Sequence, residues 1–122
     1  MTLAERCNAV EECYEFMLAY AAQGVAGGGE IRDYLTRAAQ ALGGLSEAAH
    51  EELDSPFLAV LDRDAAASLA AIELVLSQSA IGSQLIDNLN ASIHVRALLT
   101  DLFLIDEVLK TQRSAGARVW TP

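Results

Sequence analysis

Two sets of residues in this chain have types and spacing that could do chemistry. The first is acidic. VEECYEFMLAY carries Glu11, Glu12 and Glu15, and GGEIRDYL carries Glu30 and Asp33. Residues three or four apart share a side of a helix, so each segment gathers its carboxylates on one side. Two facing helices of this kind offer an oxygen-rich site of the sort Mg²⁺ takes. A metal there would carry a nucleotide's phosphates and activate a water. The second set lies in IDNLNASIHVRALLTDLFLIDEVLK, residues 86 to 110, which has neither Gly nor Pro. Read as one helix, it places Asp87, Asn90, His94, Ala97, Asp101, Leu104 and Val108 on a single stripe.

The acidic set resembles the signature of the MazG-like, all-α nucleoside triphosphate pyrophosphohydrolases, over about residues 10 to 36. The resemblance implies a Mg²⁺ cofactor held by Glu11, Glu12, Glu15, Glu30 and Asp33. It also implies release of pyrophosphate from a nucleoside triphosphate. The chain departs from that family in having only ten residues before the first acidic motif. No basic or Asn-containing motif follows for the nucleotide. A solvated acidic face explains the same residues, and it is the preferred reading.

The polar line has three readings. It is an outer face with one satisfied histidine, or a buried network that fixes register at an interface, or a ligand site. Arg96, Asp106 and Lys110 lie on the opposite side of that helix and suit solvent. Their placement turns Asp87, Asn90, His94 and Asp101 inward or toward a partner, where each needs a hydrogen bond. A di-iron site requires two Glu-x-x-His pairs. Glu47 and His50 make one, but Ala91 stands where the second needs its Glu before His94.

The elements that must position these groups are helical. Leu3, Cys7, Val10, Tyr14, Met17 and Ala21 follow a coiled stripe behind a Thr2 N-cap, and predict a helix over 2–23. The Gly-rich stretch at 24–29 ends it. A second helix is predicted over 30–42, closed by Gly43 and Gly44. Ser46 is read as the cap of a short extra helix, SEAAHEEL. Asp54, Ser55 and Pro56 start a third main helix over 56–77, and a fourth is predicted over 84–112. The expected fold is all-α: an up-down four-helix bundle with the short helix before the third main one. Residues 1–113 form the expected domain and 114–122 a loose tail.

Composition narrows the function. Apolar residues are 52% of the chain, enough for a core without disulfides or metal. Cys7 and Cys13 sit six apart in one predicted helix, a rise of roughly 9 Å that exceeds disulfide reach. Both are expected as thiols, in a reducing, cytoplasmic setting. A net charge of −9 repels nucleic acid and anionic lipid, so neither is an expected partner. The expected function is a non-catalytic protein that works by protein–protein interaction, as an accessory, adaptor or regulatory subunit. A homodimer or a larger protein partner is expected, and no cofactor. The last helix is apolar around much of its circumference, so Leu98, Leu99, Leu102 and Phe103 are the candidate interface, with His94 and Asp101 beside it.

Overall fold

The computed structural model describes residues 1–23 and 29–119, with side chains through Ser114. These residues form six helices: α1 (Leu3–Gln23), α2 (Gly29–Leu42), α3 (Leu45–Glu52), α4 (Leu58–Leu76), α5 (Ser83–Ala91) and α6 (His94–Val119). The fold is all-α. Most of the Gly-rich stretch (24–28) and the end of the expected tail (120–122) lie outside the described residues.

Helix α1 opens with a reciprocal cap. The Glu5 amide donates to Thr2 Oγ1 at 3.1 Å, and the Thr2 amide donates to Glu5 Oε1 at 3.0 Å. This capping box satisfies two donors that a helix start leaves open. Ala9, Val10, Cys13, Met17 and Tyr20 face the core. Phe16 stacks on Tyr34 of α2 with ring centroids 4.3 Å apart, which fixes how the two helices meet. Cys7 is half-buried and Cys13 buried, and both are free thiols.

Two arginines close the carboxyl ends of neighbouring helices, where carbonyls lack partners. Arg6 of α1 donates through Nη1 to the Ala41 carbonyl at 2.9 Å. Its guanidinium lies over Gly44, where a Cβ would sit 2.6 Å from Arg6 Nη2. A Cβ there would have to displace the guanidinium, while the backbone at φ −131° does not itself need glycine. Arg32 of α2 donates to the Leu76 carbonyl at 2.9 Å and the Gln78 carbonyl at 2.7 Å, closing α4. The buried Tyr20 hydroxyl donates to the Ile81 carbonyl at 2.6 Å and ties the turn after α4 to α1.

Ser46 is not the cap of α3. Gly44 holds that position without a side-chain bond, and Ser46 Oγ instead donates to Asp62 Oδ1 of α4 at 2.7 Å. His50 Nε2 reaches the other oxygen of Asp62 at 3.2 Å. The two contacts pin α3 on α4. Asp62 is held below the usual carboxylate range, chiefly by the Ser46 hydroxyl.

The single helix expected over 84–112 is two helices. Ser92 and Ile93 separate α5 from α6, and Ile93 has φ 63°. A β-branched residue rarely adopts that left-handed conformation. The Ser92 hydroxyl donates to the Leu89 carbonyl at 2.6 Å, and the Ser92 amide to Asn88 at 3.1 Å, which closes α5 without glycine. The bend lets Ile86 and Leu89 pack against α1, while α6 runs back along α4. α6 then continues to Val119. The long helices are neighbours in a ring: α1 on α2, α2 on α4, α4 on α6 and α6 on α1.

Candidate functional site

The structure does not gather the acidic residues. Glu12, Glu15, Glu30 and Asp33 are exposed, and Glu11 is half-buried. Glu12 is taken up by Arg37 of α2, whose Nη1 donates to Oε2 at 3.0 Å in an ion pair open to solvent. Among the described residues no three His, Cys, Asp or Glu side chains stand close enough to hold a metal ion.

The polar line is broken with the helix that carried it. Asp87 lies on α5 and is exposed, and His94 opens α6 and is exposed. Asn90 is half-buried, and its Oδ1 is sealed from water without a hydrogen-bond partner. Asp101 alone is buried, at 8% exposure, and its Oδ2 likewise has no donor. Burial, and then the hydrogen bond and charge of Asp64 on α4, push the Asp101 carboxyl up to about 7. A neighbouring carboxylate disfavours the charged form of a buried carboxyl, so the two effects act in the same direction on Asp101. Asp64 was not among the residues singled out from the sequence, because nothing in LDRDAAASL foretells which helix it faces.

The apolar residues of α6 divide into two sides. Val95, Leu98, Leu99, Leu102 and Ile105 point into the core. Leu98, Leu99 and Leu102, expected as an interface, therefore pack inside their own chain. The outer side is apolar as well. Ile93 is 59% exposed, Leu104 52% and Val108 37%. With Ala97 and Thr100 they follow a spacing of 4, 3, 4 and 4. At helical pitch that spacing keeps the five positions within about a quarter of the circumference, along roughly four turns. Part of it floors a shallow depression lined by Ile93, Arg96, Ala97, Thr100 and Asp101.

Phe103, 53% exposed, belongs to a different surface. It lines an open groove of about 320 Å³ between α6 and the start of α1, with Leu3, Cys7 and Leu109. Glu11, Glu52, Asp106 and Arg113 stand around it. Burial first, then the charges of Asp106 and Glu11, push the Cys7 thiol up to about 11. Such a thiol is a poor nucleophile at neutral pH, because the thiolate is the reactive form.

Charge is unevenly spread. Of the eight basic and seventeen acidic residues, α6 carries four basic and three acidic by sequence. The remaining chain is strongly acidic and α6 is close to neutral. No helix of the described residues is long and apolar enough to cross a membrane. No family model, no curated protein and no solved structure matches the chain.

Proposed function

We propose that this protein acts by protein–protein association, without catalysis of its own, and that its first partner is a second copy. The ring of four long helices reads as an up-down four-helix bundle with α3 and α5 as short insertions. The observation that carries the reading is the outer stripe of α6. A helix whose inner side already fills a core has no structural need for Leu104 and Val108 on its outer side, with the exposed Ile93 just before it. Contiguous exposed apolar residues mark contact surfaces.

Charge favours a copy of the same chain at that place. Two acidic bodies repel one another over most of their surface, but α6 is nearly neutral and lets them approach there. Two-fold dimers are the commonest closed assembly, and one stripe serves both sides of such an interface. Sedimentation across micromolar concentrations tests this. A dimer that forms with rising concentration supports the reading. A monomer throughout overturns it and assigns the stripe to a different protein.

A further inference from the structure

We propose that the Ser92–Ile93 junction is a hinge that straightens to join α5 and α6 into one helix. In this form two copies associate, each lending its α6 to the other's α1–α4 framework. The inference rests on the self-association reading and specifies its mode.

The motive is a conflict between local and tertiary preference. Residues 83 to 114 contain neither Gly nor Pro, so the chain itself favours an unbroken helix across the junction. The bend places the β-branched Ile93 in the left-handed region, at φ 63°, with its side chain 59% exposed. Nothing at Ile93 rewards that conformation through burial. Every separate helix start also leaves its first N–H groups without intrahelical acceptors. A continuous helix supplies acceptors at the junction and removes the left-handed residue. Short hinges under strain of this kind are where exchange between copies occurs.

What holds the bend is the packing of α5. Ile86 and Leu89 are buried, chiefly against α1, while α6 packs chiefly on α4. A straight helix from Ser83 to Val119 would span about 55 Å, whereas a compact chain of this length has a radius of gyration of about 14 Å. Its two halves could not both stay on their present supports. One half must leave, and the surface that fits it already exists on every other copy. This identifies the occupant as a second copy and not an unrelated protein.

The junction itself suits a crossing of two such helices. In a straight helix Asn90, Ile93 and Ala97 follow a 3-4 spacing and lie on one seam across the junction. Asn90 Oδ1, sealed without a partner in the bent form, would there face its counterpart from the other copy. A lone Asn in an apolar seam pairs with its mate and fixes register.

The test uses the full chain refolded at micromolar and at millimolar concentration. An exchanged dimer, once formed, persists on dilution, because each α6 must leave a core before the copies part. Glycine takes a positive φ freely and weakens a continuous helix, so Ile93→Gly should favour the bent form by about tenfold per hinge. Two hinges straighten in each dimer, so the dimerisation constant should fall by about a hundredfold. Ile93→Ala, the better helix former, should raise it. In a dimer built from one isotope-labelled and one unlabelled copy, filtered nuclear Overhauser spectra should show α4–α6 contacts between copies. Two results would overturn the exchange and leave self-association standing: a dimer with those contacts within one copy, or one that dissociates within seconds of dilution and ignores Ile93→Gly. A monomer at every concentration would overturn both.

Discussion

Asp64 of α4 lies beside the buried Asp101 carboxyl of α6, and its presence, after burial, helps to raise Asp101 above the usual carboxylate range. Asp101 is buried there with its Oδ2 lacking a donor, beside the depression that Arg96 and Thr100 also line. The pair puts an acid–base equilibrium inside the contact on which α6 depends.

The pH dependence follows with a definite sign. The Asp101 carboxyl is raised in the folded chain to about 7, above its ordinary value. The folded state thus binds more protons than the unfolded one between those two values. The Asp101 contribution to stability is therefore fully present below about 3.8, falls as pH rises from there to about 7, and is lost above that. Asp101→Asn keeps a group that donates to Asp64 and removes the charge. At pH 8 it should raise the free energy of unfolding by about 1 kcal/mol or more, with a smaller gain at pH 5. Urea denaturation at the two pH values checks this, and an equal effect at both would contradict it.

The two sides of α6 should respond oppositely to charge. Leu104→Glu and Val108→Glu lie on exposed positions and should leave monomer stability within about 0.5 kcal/mol. Either should weaken self-association through the outer stripe at least tenfold. Leu99→Glu or Leu102→Glu would bury an unpaired carboxylate and should cost about 3 kcal/mol or more. Thermal melting and sedimentation, measured together, separate the two effects.

Gly44 should tolerate a methyl group only when Arg6 is gone. In the wild type, Gly44→Ala displaces the guanidinium from the Ala41 carbonyl and should cost about 1 kcal/mol. In an Arg6→Ala background the same change should be close to neutral. A double-mutant cycle by chemical denaturation measures the coupling, and additive costs would show that the methyl group clashes with something else.

Tyr20→Phe removes the buried hydroxyl that donates to the Ile81 carbonyl and leaves that carbonyl without this donor. The expected loss is about 1–3 kcal/mol. Hydrogen exchange should speed up first in α5, because the turn that starts it is held by this bond. Uniform acceleration along the chain would mean that the bond stabilises the whole fold and not this turn.

The sequence by itself determined the class of fold and most helix boundaries. Thr2 and the glycines at 43 and 44 act within a few residues of themselves, and local signals of that range are written in order along the chain; the Asp54-Ser55-Pro56 signal instead stands just ahead of α4, which opens at Leu58 behind Phe57 without a side-chain cap. Apolar spacing likewise showed that α6 has more apolar surface than one bundle face uses. The tertiary structure alone decided three things. It broke the last long helix at Ile93, where no Gly or Pro announces a break, because burying Ile86 and Leu89 on α1 outweighs the local preference to continue. It chose which apolar side of α6 became core, sending Leu98, Leu99 and Leu102 inward and leaving Leu104 and Val108 outside. It also separated the polar line, exposing Asp87 and His94 and bringing Asp101 to Asp64, thirty-seven residues earlier in the chain. Periodicity records that a helix has a side to bury. The neighbour that buries it, and the charges that neighbour brings, are set by contacts between residues far apart in sequence, and no single segment contains that information.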